Sequence, residues 1–249
     1  EIQENFNPAL GFVNRLGVRD YTGEFGYTRR PRNRYLRTIF SGIDARRVER
    51  LDSGLDSSLI NFRLLDISNH SNDRLETKYR LKEEVLTEPF EISSGVIIAP
   101  GLYSFYDYGI SINSSGHRKW SGNASVFKGT DYGGDKLSLN GGFAWKPSKH
   151  FRVQGTYEFN DFELPQGNFI TRLITFQADI VFSETFSWVN LMQYDNVSNN
   201  LGINSRVHWI PEAGRELFFV INHNLLDGID GFKSTDSNIT VKINYTFRF

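Results

Sequence analysis

The sequence of 249 residues has no cysteine, and this absence removes disulfides, thiol nucleophiles and cysteine-bound metals from consideration. It also has no apolar run of about 18 residues, which excludes a membrane-spanning helix. Capped stretches with helical periodicity are missing too. The net charge is only −1, so the composition gives no indication of a nucleic-acid partner. What remains is a chain of one large β-domain.

The last twelve residues alternate strictly between apolar and polar side chains, from Asn238 to Phe249. A soluble β-sandwich strand is one interpretation, but a soluble domain usually ends in a few disordered polar residues. An apolar-out, polar-in strand ending on an aromatic is typical of the closing strand of an outer-membrane barrel. We therefore interpret Tyr245, Phe247 and Phe249 as the signal that the barrel-assembly machinery reads, and expect deletion of Phe249 to reduce insertion.

About thirteen alternating segments run from Gly17 to the end of the chain, with turn-rich stretches between them. No linker rich in proline or serine interrupts them. The predicted fold is a single all-β domain over 1–249, a transmembrane antiparallel up-and-down β-barrel of the bacterial outer membrane.

The connections divide into two alternating sets if Phe249 lies at the periplasmic end. We expect longer loops outside and short turns in the periplasm. The outside set is Glu49–Ser57, Glu83–Gly101, Gly129–Asp135, Asn160–Asn168, Asp195–Asn200 and Leu225–Asp236; the periplasmic set is Arg30–Asn33, Asn69–Asp73, Asn113–Arg118, Pro147–Lys149, Ser183–Thr185 and Pro211–Gly214.

All four tryptophans lie within a few residues of a turn in the periplasmic set. Core packing explains any one of them equally well, but their shared side favours an aromatic girdle at a membrane boundary, formed by Trp120, Trp145, Trp188 and Trp209. The polar side chains at the alternate positions of the strands are predicted to form a row that faces the lumen. Its members are Lys78, Arg80, Arg152, Glu158, Asp179, Arg206, His208, Lys242 and Arg248.

Catalytic and metal motifs are scarce. His208 is the only histidine predicted to face the lumen, and neither Gly-x-Ser-x-Gly nor His-Glu-x-x-His occurs, so we predict no enzyme and no cofactor. A hydrogen-bonded lumen histidine is the favoured interpretation of His208. Asp227–Gly231 and the pair Asp131/Asp135 are alternative Ca²⁺ donors, although neither has a full ligand spacing and Asp-Gly forms ordinary turns. The arginines near 30 and 46 are either lipid-phosphate contacts or solvated charges.

Three stretches resemble a bacterial family that is frequent in Bacteroidota: Asn5–Arg15, Pro89–Ile92 with Pro100–Tyr103, and Tyr194–Gly202. In this family an N-terminal family-9-like carbohydrate-binding domain precedes a large barrel domain of unknown function. The resemblance spans nearly the whole chain and implies an outer-membrane barrel. Its motifs lie in loops and turns, so it implies no catalytic residues.

Strand parity leads to a related expectation. Bacterial single-chain barrels have an even number of strands with both ends in the periplasm, so thirteen segments place Gly17 outside and require a strand upstream. We expect residues 1–16 to be an extracellular segment that follows this missing strand. The chain would then be the C-terminal part of a larger even-stranded barrel.

Two functions remain open from the sequence. One is passage or uptake of small solutes or glycan-derived substrates, and the other is a non-conducting structural or accessory subunit of an outer-membrane complex. Both have outer-membrane lipid and the assembly machinery as partners, the second adds other outer-membrane proteins, and neither involves nucleic acid.

Overall fold

A computed structural model describes residues 1–7 and 15–246 of the chain. Strands account for 78% of the structure, and the described residues contain no helix. It follows that no helix of this part of the chain has the length and hydropathy for a bilayer crossing. The all-β class expected from the sequence is therefore confirmed.

Thirteen strands form one antiparallel up-and-down sheet, and two short strands form a separate hairpin. The large sheet consists of β1 (Val18–Arg29), β2 (Leu36–Arg50), β3 (Gly54–Asn69), β4 (Arg74–Leu86), β7 (Gly101–Asn113), β8 (Trp120–Asp131), β9 (Gly134–Ser148), β10 (Phe151–Leu164), β11 (Gly167–Ser183), β12 (Phe186–Asp195), β13 (Asn200–Glu212), β14 (Arg215–Gly228) and β15 (Gly231–Tyr245). The hairpin consists of β5 (Phe90–Ser93) and β6 (Val96–Ile98). Each strand of the large sheet pairs with its neighbours in chain order.

The chain divides into two compact units. Unit 1 comprises residues 1–112, 125–138 and 161–169. Its registers align side chains of one character: Phe25 lies opposite Ile43, Ile43 opposite Phe62 and Phe62 opposite Tyr79. One position along, Glu24, Asp44, Asn61 and Arg80 form the corresponding polar row. Since side chains of a strand alternate between faces, unit 1 has one apolar and one polar face.

Unit 2 comprises residues 113–124, 139–160 and 170–249 and has the same two faces. An apolar row crosses five strands through Ile180, Trp188, Val207, Phe219 and Val241. The neighbouring row on the other face carries Asp179, Val189, Arg206, Val220 and Thr240. Sequence alternation is thus converted by pairing into continuous faces.

The predicted segments match the thirteen strands in number and order, but the connections differ from prediction. Within the expected loop Glu83–Gly101, β4 continues to Leu86 and the β5–β6 hairpin follows. The expected loops Gly129–Asp135, Asn160–Asn168 and Leu225–Asp236 are two-residue turns at 132–133, 165–166 and 229–230. Glycine, aspartate and asparagine are turn formers by type, but most of those in these three stretches lie inside the strands.

The predicted difference in loop length between the two sides is therefore wrong. Connections of the expected periplasmic set include residues 30–35 and 114–119, which are longer than the two-residue turns of the outside set. Among the described connections of the outside set, only residues 87–100 are long. Loop length therefore gives no support for the assigned orientation.

The sheet is open at both edges. Among the described residues, β1 pairs only with β2 apart from a single bridge between Ile2 and Val18, and β15 pairs only with β14. In an antiparallel sheet of thirteen strands the first and last strands run in the same direction. Antiparallel closure therefore requires an odd number of further strands.

Candidate functional site: the polar face of the sheet

Opposite charges pair across the polar face of unit 1. Arg63 contacts Glu24 of β1 and lies 3.2 Å, Nε to Oδ1, from Asp44 of β2. Arg80 and Lys82 of β4 both contact Asp107 of β7, at 2.5 and 3.0 Å. These ion pairs join different strands, so they hold together the polar face of the unit, here called its wall. They also neutralise the charge of that face.

A second ion-pair group includes the buried carboxylates Asp66 and Glu76, which are 8% and 6% exposed. Arg74 Nε donates to Asp66 Oδ1 at 2.7 Å, and Arg74 Nη2 lies 3.3 Å from Glu76 Oε1. Lys78 Nζ approaches Glu76 Oε2 to 2.9 Å. Of the predicted lumen residues, Lys78 and Arg80 therefore belong to ion pairs of this wall.

Amides dominate the polar face of unit 2. Gln154 Nε2 donates to Gln177 Oε1 at 3.0 Å, and Gln177 Nε2 donates to Asp179 Oδ1 at 2.7 Å. Asn204 Nδ2 donates to Asn222 Oδ1 at 2.5 Å. Carboxamides present both donors and acceptors, so this face can both donate and accept hydrogen bonds.

The charged residues predicted on this wall occupy separate positions. Arg152 donates to Gln154, while Glu158, Arg206 and Lys242 are exposed and have no ion pair in the described part of unit 2. Lys242 lies opposite Phe218. Ion pairs of the described residues therefore do not neutralise these three charges.

His208 is stacked flat on Phe218, with ring centroids 4.2 Å apart and an interplanar angle of 6°. Its Nε2 lies 3.8 Å from Glu216 Oε2, and within the described residues it has no hydrogen-bond partner. The prediction that His208 is hydrogen-bonded is therefore wrong for its Nε2 atom. Ser187 lies opposite His208 in the register, but His208 Nε2 makes no hydrogen bond to it in the described residues.

The apolar face holds all four predicted girdle tryptophans, and all four belong to unit 2. Trp120 stacks on Trp145 with centroids 5.2 Å apart, and Trp209 lies opposite Phe186 in the register. Trp188 Nε1 donates to Ser205 Oγ at 2.8 Å. Each lies near the strand end that carries the turns assigned to the periplasm.

The predicted assembly signal is described only in part. Tyr245 lies on the apolar face of β15, and its hydroxyl accepts a hydrogen bond from Arg215 Nη2 at 2.9 Å. Phe247 and Phe249, together with the predicted lumen residue Arg248, lie outside the described residues. The resembling stretch Asn5–Arg15 also lies largely outside them.

Three of the four carboxylates considered for Ca²⁺, Asp131, Asp227 and Asp230, have protein partners. Asp131 pairs with Lys136 at 3.0 Å and Asp230 with Lys233 at 2.8 Å, while Asp227 accepts a hydrogen bond from Tyr194 at 3.0 Å. No cluster of three or more metal-binding side chains occurs in residues 1–7 and 15–246.

One apolar cluster of unit 1 was not expected from the sequence. It joins the β5–β6 hairpin to β7, β10 and the β8–β9 turn, and its buried members are Val96, Ile98, Phe105, Tyr132, Phe162 and Leu164. Burial raises the pKa of the Tyr132 phenol, and a hydrogen bond to Glu84 Oε2 at 3.0 Å raises it further. The phenol therefore stays protonated and acts as a donor.

No family model matches the chain, and neither curated proteins nor solved structures give a match.

Proposed function

We propose that this chain forms part of a β-barrel in the bacterial outer membrane and that the barrel passes small polar solutes or glycan-derived substrates. The observation that carries the proposal is the apolar face. Large side chains on it are exposed along the sheet, among them Phe25 at 78%, Ile174 at 46% and Ile243 at 71%. Contiguous exposed apolar surface on this scale requires a cover of lipid or protein.

The scarcity of a core favours lipid over a soluble sandwich. Only eight hydrophobic side chains are buried in the described residues, and just one, Ile98, is fully enclosed. A soluble sandwich of this length packs its apolar face against a second sheet. A membrane barrel instead directs that face outward and fills its interior with polar groups.

Open edges support the same proposal in a specific form. Exposed edge strands template pairing with other chains, and barrels avoid this hazard by closure. We infer that an odd number of strands outside this chain joins β1 to β15 and gives an even total, as in bacterial single-chain barrels. A barrel of at least fourteen strands has an interior wide enough for solutes.

The polar face supports passage of solutes. Its unit 2 wall offers amides together with the exposed charges Arg206 and Lys242, which have no ion pair among the described residues. Such a wall can exchange hydrogen bonds with a moving neutral solute without binding it tightly. Sugars and other polyhydroxy compounds have the matching chemistry.

A non-conducting accessory subunit is the second candidate, and one observation favours it. The charges of the unit 1 polar face neutralise one another, as in the pairs Arg63–Asp44 and Arg80–Asp107. A polar face whose charges are paired within the protein can stabilise the fold without binding any solute. Outer-membrane partners would then cover part of the apolar face.

The deciding experiment is planar-bilayer recording of the purified full-length protein together with a mild-detergent pull-down. Open channels, and swelling of protein-containing liposomes in sugar solutions, would support passage. A silent bilayer with a stoichiometric co-purifying membrane protein would reject passage and support the accessory role. Recovery of the protein only in the soluble fraction would reject both.

A further inference from the structure

The β5–β6 hairpin lies on the polar face of unit 1. Phe105, which the hairpin covers, is two residues from Asp107, the partner of Arg80 and Lys82 on that face. Residues two apart on a strand share a face. Phe162 of β10 lies on the same face as Lys136 of β9, because the Lys136 Nζ is 4.6 Å from the centroid of the Phe162 ring. The hairpin is therefore inside the proposed passage.

Apolar residues at these polar-face positions need the hairpin as cover. Phe105 and Phe162 are 8% and 7% exposed, while Ile98 of β6 is completely enclosed. Without the hairpin, these rings would face the watery interior of a barrel. The cluster is thus built for a hairpin that rests on the wall, rather than for a mobile loop.

Tyr132 provides a second, independent sign of fixed placement. Its φ is +43°, followed by +85° at Gly133, which makes a two-residue turn that usually carries Asn-Gly. A bulky residue in this conformation is strained. The strain is offset because the ring lies 5.0 Å from Phe105 and 6.3 Å from Phe90, and the hydroxyl donates to Glu84. Tyr132 thus connects the β8–β9 turn to β4, to the β5–β6 hairpin and to β7.

We propose that residues 87–100 form a constriction that narrows the passage at this end of the sheet and sets the size limit for solutes. This inference rests on the proposed passage function. Among the described connections on its side of the sheet this is the longest, and its neighbours 132–133 and 165–166 are two-residue turns. A chain segment held on the inner wall reduces the open cross-section, whereas a loop directed into solvent does not.

Adjacent residues of β6 provide a matched pair of variants. Ile98→Asp places a charge in the fully enclosed position and is expected to lift the hairpin from the wall. Ile97→Asp introduces the same charge at a position that is 55% exposed and is expected to leave the hairpin in place. A third variant replaces residues 90–98 with a short Gly/Ser linker and removes the hairpin altogether.

The full-length protein and the three variants are compared by single-channel conductance and by liposome swelling in sugars of increasing size. Heat-modifiable mobility on gels reports whether each variant is folded. Higher conductance and admission of larger sugars in Ile98→Asp and in the linker variant, but not in Ile97→Asp, would support the constriction. If Ile98→Asp fails to fold, the linker variant decides.

The other outcomes separate the two proposals. Equal conductance and equal sugar limits in the wild type and the linker variant would overturn the constriction while passage stands. A silent wild type and a conducting linker variant would support a hairpin that closes the passage. If no protein conducts, the passage function fails and the constriction fails with it.

Discussion

Replacing Arg74 by methionine tests whether the ion pairs of the polar face hold the wall together. The substitution keeps most of the side-chain length but leaves the buried Asp66 without its cation, while Glu76 retains Lys78 at 2.9 Å. Breaking a fully buried pair costs about 3–5 kcal/mol and breaking a surface pair about 0–1 kcal/mol. Because the Arg74 side chain is 44% exposed, we expect an intermediate loss of about 2 kcal/mol.

The measurement is equilibrium urea unfolding of the protein in lipid vesicles, followed by tryptophan fluorescence. A shift of the midpoint with an unchanged slope is read as a change in stability. Lys233→Met is the matched control, since its 2.8 Å pair with Asp230 is 66% and 76% exposed and should contribute less than about 1 kcal/mol.

A double-mutant cycle with Asp66→Asn isolates the interaction. Removing both charges should be less costly than the sum of the two single losses, with a coupling of about 1–2 kcal/mol. Additive losses, or equal losses for Arg74→Met and Lys233→Met, would refute the view that this network stabilises the wall.

Three further predictions concern the two faces. Because the chain has no cysteine, a fluorophore on Phe25→Cys should be quenched by brominated lipid and one on Glu24→Cys should not; equal quenching would contradict the assigned faces. Ser205→Ala should lower the free energy of unfolding by about 1–2 kcal/mol, because Asn190 Oδ1 loses its 2.8 Å donor on the apolar face, whereas Ser205→Thr should restore it. Arg206→Glu should shift ion selectivity toward cations in bilayer recordings, and unchanged selectivity would place this side chain off the conduction path.

The strands of the large sheet could be predicted from the sequence because their signal is local. Alternation in segments such as residues 172–182 and 239–245 fixes both the strand and the side each residue faces, before any pairing is known. The thirteen strands and their order follow from this pattern. Strand ends were less predictable, because most of the polar turn formers at 129–135 and 225–236 lie within strands, where pairing outweighs their local preference.

The candidate site could be predicted only as a list of polar positions. Its ion pairs join residues that are distant in the chain, such as Arg63 with Glu24 and Arg80 with Asp107, and their formation depends on register. Register is a property of paired strands and bulges, which alternation alone does not specify. For the same reason, the sequence did not reveal that ion pairs hold the polar face of unit 1 whereas amides line the polar face of unit 2.

The sequence by itself determined the two-faced strands and the number of strands in the large sheet, because alternation with a period of two residues is visible in neighbouring side chains. Only the tertiary structure decided that residues 87–100 turn back onto the polar face. Phe105 and Phe162 occupy positions on the polar face, so they interrupt the alternating pattern of the sequence. The structure explains them, because they pack in one cluster with Val96 and Ile98. A contact between residues so far apart depends on how the whole sheet brings them together, and no local pattern carries that information.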